Sequence, residues 1–76
     1  MSASTIIKKI MLDQGITVKV LAEKLGLTSQ VLSNKLYRNT FSYNDYIKIS
    51  NILNCDVKTI SRETKIEYIN LAEDNK

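Results

Sequence analysis

Gly26 separates two short segments that each begin behind a threonine and carry apolar residues at helical spacing, and this arrangement narrows the fold more than any other feature of the chain. Thr17 is placed to cap a helix over 18–25, whose Leu21, Ala22 and Leu25 form a narrow apolar face. Thr28 is placed to cap the next helix, in which Val31, Leu32 and Leu36 fall on one inward stripe and which runs to about Tyr37. Only Gly26 and Leu27 stand between the first helix and the second cap. A connection this tight forces the helices to cross steeply and leaves the outer side of the second one free of the core.

Two further helices flank the pair. Ser4 reads as the cap of a first helix over 5–14, with Ile6, Ile7, Ile10 and Met11 at helical spacing and Gly15 as the left-handed residue that ends it. Residues 38–41 read as loop, and Ser42 followed by Asp45 approximates a capping box for a fourth helix over 43–53 that buries Tyr46, Ile49, Ile52 and Leu53. Tyr43 and Tyr46 read as packing residues rather than stacking platforms. Cys55 reads as a small buried apolar residue, since no second thiol exists to form a disulfide with it.

The tail gives two competing signals. Val57, Thr59, Ile60 and Ser61 favour a strand, and Ile66, Tyr68 and Ile69 supply a return strand, although Arg62 to Lys65 lacks the Gly or Asn that tight hairpin turns prefer. Thr64 with Glu67 offers the cap of a helix through Ala72 instead. The expected architecture is mainly α: a compact four-helix domain over 1–55, then a C-terminal extension over 56–76 in which a β-hairpin is favoured over a fifth helix. The last residues, 73–76, are expected to fray.

Composition bears on function mostly by exclusion. A chain of 76 residues with 43% hydrophobic and 25% charged residues is a single small globular domain, too small for a large catalytic cleft. It has no His and one Cys, which removes His-based catalysis, a Cys-rich zinc site and a disulfide scaffold. No nucleophile, base and stabiliser assemble from this inventory, so no enzyme, metal or cofactor is expected. Apolar runs fall far short of the ~20 residues that span a bilayer, and Lys8 and Lys9 interrupt the stretch a signal peptide needs; the expected location is cytoplasmic, away from membranes. The abundance of Asn, Ile and Lys fits an AT-rich bacterial or phage genome.

Charge is unevenly divided. Residues 1–50 carry seven basic against three acidic side chains, a net +4, whereas 51–76 carry four against five, a net −1. A basic part joined to a near-neutral tail points to a polyanion-facing region and a second region with another role.

The third helix says which polyanion. With Val31, Leu32 and Leu36 turned inward, Ser29, Gln30, Ser33, Asn34 and Tyr37 are left toward solvent. Surface helices ordinarily favour Lys and Glu; Ser and Asn are weaker helix formers. The DNA major groove gives a reason for them, because Gln or Asn bonds adenine N6 and N7 as a pair and Ser reaches several base edges. Gln30 and Asn34, four residues apart, project side by side toward neighbouring base pairs. Phosphate donors are expected at the helix ends and in the following loop: Lys35, Arg38, Asn39, Thr40 and Ser42, with the amides that open the fourth helix. Thr17, Thr28 and Tyr37 complete that set.

The stretch VLAEKLGLTSQVLSNKL resembles the helix-turn-helix of the lambda-repressor and Cro-like family, also called the Xre family, and the likeness extends over 6–54. Leu21, Ala22, Gly26, Thr28, Val31 and Leu32 stand where that family's pattern expects buried or turn residues. The resemblance implies a recognition helix over 28–37 inserted into the major groove, with base contacts from Ser29, Gln30, Ser33 and Asn34. The chain departs from the family's habit in two ways. Val18 stands where many members have Gln, and Tyr37, Arg38 and Asn39 replace a common Glu-Asn-Gly.

The function these readings imply is a sequence-specific double-stranded DNA-binding transcriptional regulator, a repressor acting by occlusion. One such domain covers few base pairs, so a homodimer on a palindromic operator is expected, joined through the 56–76 extension. The alternative is a protein-interaction module, such as the antitoxin of a toxin-antitoxin pair or a phage adaptor, with a protein as partner.

Overall fold

The computed structural model describes residues 2–71, and the expected fraying of 73–76 lies outside them. Four helices, α1 (Ala3–Gln14), α2 (Val18–Leu25), α3 (Ser29–Arg38) and α4 (Tyr43–Ile52), precede two strands, β1 (Val57–Ile60) and β2 (Glu67–Asn70). The mainly α architecture with a C-terminal hairpin is the one the sequence favours.

Each helix starts on a hydroxyl. Thr17, Thr28 and Ser42 take extended backbone, and their side chains accept from the N–H three residues on, Val20, Val31 and Asp45. The first cap differs from expectation: Ser2, not Ser4, accepts from Thr5 N at 3.1 Å. Ser4 lies one turn before Ile7 and two before Met11, on the same inward stripe, so it is drawn into the interior with them.

The principal core joins Ile7 and Met11 of α1, Leu21 and Ala22 of α2, Leu32 and Leu36 of α3, and Ile49 and Leu53 at the end of α4. Burial of each large aliphatic side chain contributes about 1.5–3 kcal/mol relative to leaving it exposed. Ile6, Ile10, Leu25, Tyr46 and Ile52 are only half-buried, the last four of them packed against this cluster. In α4 the sequence reading misses Ile47, which is buried on the edge of the helix one turn from Tyr43 and next to Ser50. Tyr43 itself is 58% exposed rather than packed, because it occupies the first position of α4, ahead of the buried stripe. Cys55 is half-buried against the core, and its S–H donates to Leu53 O at 3.5 Å.

The hairpin is antiparallel, with Val57 opposite Asn70 and Ile60 opposite Glu67. Its connection turns without Gly or Asn. Ser61 Oγ accepts from Thr64 N, Lys65 N donates to Ser61 O, and Lys65 takes the left-handed conformation at φ 65. With the Asn70 amide oriented by its hydrogen-bond partners, its N–H groups donate to Val57 O and Tyr68 O and its carbonyl accepts from the Tyr43 hydroxyl, which ties the base of the hairpin to α4. On the opposite face Lys58 Nζ donates to Glu67 Oε1 at 2.9 Å. That hydrogen bond, and then the carboxylate's charge, hold the Lys58 ammonium above its ordinary pKa.

Ser4 carries a testable consequence. Its Oγ is buried without a hydrogen-bond partner, while its N–H donates to Asn39 Oδ1 at 3.0 Å. An unpaired buried hydroxyl costs about 1–3 kcal/mol, and Ala is also the better helix former. Ser4→Ala is expected to raise stability by about 1 kcal/mol in a urea titration; a loss of stability means the hydroxyl is satisfied in solution.

Candidate nucleic-acid interface

The second and third helices owe their relative placement to a turn that uses each residue between them. Gly26 takes φ 73, a conformation an L side chain rarely adopts, and its N–H together with that of Leu27 closes the last carbonyls of α2, at Glu23 and Ala22. Leu27 is half-buried against the core, and Thr28 then opens α3. The turn brings α3 back against α2, along the line of Leu32 and Leu36.

That line is narrow. Ser29, Gln30, Ser33 and Asn34 are all exposed on α3, on the side where the sequence puts them. Val31 corrects the expectation. It is 41% exposed, whereas Leu32 beside it is 0% exposed. One residue is about 100° of helix, and with Leu32 and Leu36 defining the covered side, Val31 emerges at its margin. The outer surface of α3 is therefore amide, hydroxyl and one branched apolar side chain, with Tyr37 at 88% exposure and Arg38 farther along.

The expected phosphate donors fall at several places around this surface. Thr17 and Thr28, both exposed, each accept from their own helix through Oγ1, at 3.2 and 3.1 Å, which leaves each hydroxyl hydrogen free to donate outward. Lys35 is half-buried along a crease shared with Phe41 and with Asp45 and Lys48 of α4. Arg38, Thr40 and Ser42 are exposed at the far end of α3.

Asn39 has a second task that nothing local reveals. It ends α3 in the left-handed conformation at φ 56, and its Oδ1 accepts from Ser4 N, so its side chain is turned to the start of α1 and retains only its amide nitrogen as a donor. The amides that open α4 are also partly engaged. Ser42 N donates to Asp45 Oδ2 at 3.2 Å and Asp45 N to Ser42 Oγ at 3.0 Å, leaving Tyr43 N and Asn44 N outside this capping box.

A family model, the Cro/C1-type HTH DNA-binding domain, matches residues 7–71. The chain belongs to this family. Comparison with curated proteins and with solved structures found no match. The Cro/C1-type match covers all of α2, the Gly26 turn and α3, and it continues through the hairpin. Membership makes the protein a DNA-binding regulator of a family that is typically not enzymatic. Among the described residues no helix is long and apolar enough to cross a membrane, and no group of His, Cys, Asp and Glu is arranged to hold a metal.

Proposed function

We propose that this Cro/C1-type domain is a transcriptional repressor that inserts α3 into the major groove of an operator and occludes it in the cytoplasm. The observation that carries the reading is the exposed outer side of α3. Four amide or hydroxyl side chains, Ser29, Gln30, Ser33 and Asn34, stand there together with none of them spent on the core. Gln30 and Asn34 pair with adenine edges, and the two serines reach flanking bases. Thr17, Thr28, Lys35, Tyr37, Arg38, Asn39, Thr40 and Ser42 fix register on the phosphates. For Thr17 and Thr28 the support is a capping geometry that leaves the hydroxyl hydrogen outward; for Asn39 it is the amide nitrogen alone.

Two copies act together. The hairpin in the 56–76 extension is two-stranded, with most of its residues exposed, Ile60 at 53% and Ile69 at 56% on its outer face. A lone ribbon of this kind is marginal in water, and joining a copy across a twofold axis covers those side chains while setting two α3 helices about one turn of DNA apart. Selection from random DNA by the full chain is expected to return an inverted repeat with half-sites spaced by about 10 base pairs. Recovery of no preferred sequence overturns the reading. Light scattering is expected to show a dimer; a monomer at high micromolar concentration, with and without the selected DNA, removes the homodimer and favours a different protein as the hairpin's partner.

A further inference from the structure

Val31 is out of place as a structural residue. It is 41% exposed, at the margin between the covered side of α3 and its polar outer face, so it gains only part of the stabilisation that core burial would give. Its branched Cβ also makes it a poorer helix former than the alanine, lysine or glutamate that would serve a solvated position. Its neighbours on the helix surface are informative. Val31, Asn34 and Arg38 stand three and four residues apart, so they share one stripe of α3, while Gln30, Asn34 and Tyr37 share the adjoining one. Asn34 belongs to both. Val31 is therefore a neighbour, on the helix surface, of the amide that is best placed to face a base.

In the major groove one apolar feature is available to such a side chain. Adenine offers N6 and N7 to an amide, and its partner thymine presents O4 and a C5-methyl group; apolar contact with that methyl distinguishes A·T and T·A from the other pairs. Side chains three apart on a helix are about 5–6 Å from one another, comparable to the separation of groups on adjacent base pairs. We infer that Val31 is a specificity-determining residue that packs on the methyl of a thymine lying within one base step of the adenine read by Asn34. This rests on the reading of α3 as the base-contacting helix and adds a requirement to it: the preferred half-site contains a T whose methyl, rather than its hydrogen-bonding edge, is recognised.

The test replaces single thymines of the selected site with deoxyuridine, which keeps the pairing edge and lacks the methyl, and measures binding of the full-length chain and of Val31→Ala. Loss of one buried methyl corresponds to about a three- to fivefold change in Kd. The wild-type chain is expected to weaken by that factor at one thymine of each half-site. Val31→Ala is expected to bind the thymine site more weakly by about the same factor or somewhat more and to be indifferent to deoxyuridine at that position. A selected half-site without a thymine there overturns the inference, as does a deoxyuridine penalty that survives in Val31→Ala, since another group then holds the methyl. Failure here is distinguishable from failure of the wider reading. If Gln30→Ala and Asn34→Ala still lose affinity only for the selected site, α3 reads bases and Val31 alone is misassigned; if those two variants lose equally on random DNA, the reading of the whole helix fails. Circular dichroism of Val31→Ala at wild-type helix content separates a lost contact from a lost fold.

Discussion

Leu32→Ala is expected to lower stability by about 2–5 kcal/mol, while Val31→Ala, one residue away, changes it by no more than about 0.5 kcal/mol. Leu32 is 0% exposed and faces the cluster of Leu21, Ala22 and Leu36, so truncation leaves a hole that the short helices cannot close without breaking their caps. A domain of 76 residues has about 4–11 kcal/mol to lose, at roughly 0.05–0.15 kcal/mol per residue, which makes this single change a large fraction of the whole. In thermal melts the corresponding fall is at least about 10 °C, and in urea the midpoint should move with an unchanged slope. The comparison tests the register of α3 as well as its packing. If the two variants lose similar stability, the helix is rotated from the placement described, and the outward set of Gln30, Asn34 and Val31 changes with it.

How much of this was legible beforehand depends on how far each determinant lies along the chain. The caps at Thr17, Thr28 and Ser42 are local, each reaching an N–H three residues on, and the sequence reading finds all three. At the first helix two serines compete: cap chemistry alone admits Ser4, but Ser4 shares a buried stripe with Ile7 and Met11, and Ser2 caps the helix. The hairpin runs against its own turn chemistry only in appearance: the Ser61 hydroxyl and a left-handed Lys65 do what Gly or Asn does elsewhere. Positions decided by a distant element are the ones misread. Val31 is counted as core because three apolar residues fit one stripe, yet how wide a stripe is covered depends on what packs over it, and α3 is covered along the line of Leu32 and Leu36 alone. Asn39 also has a distant partner that local sequence does not reveal: its side-chain oxygen accepts from Ser4 N, 35 residues earlier, which leaves the amide nitrogen to donate. The outward face of α3 survives these errors because it is defined by what the core leaves over, and that much is periodic.

Asn34→Ala and Gln30→Ala are each expected to weaken binding to the selected operator by about 1–3 kcal/mol, roughly five- to 150-fold in Kd, with little change on random DNA. The asymmetry follows from what each partner loses. At the cognate site the truncation deletes two hydrogen bonds to one base and leaves that base's donor and acceptor facing an apolar methyl; on random DNA the amide had no such pair to lose. Arg38→Ala provides the opposite pattern. A phosphate contact carries no sequence information, so its loss should weaken both DNAs alike and flatten the dependence of log Kd on log salt by about one unit. The same measurements at several salt concentrations therefore sort residues by role. Should Gln30→Ala cost as much on random as on selected DNA, it acts on the backbone, and the surface of α3 then binds DNA without reading it. Should Asn34→Ala keep its specific loss while Gln30→Ala does not, the reading edge of α3 narrows to the stripe of Val31, Asn34 and Arg38. Specificity in this domain then rests on one amide flanked by one valine, with the arginine beyond them on the phosphates.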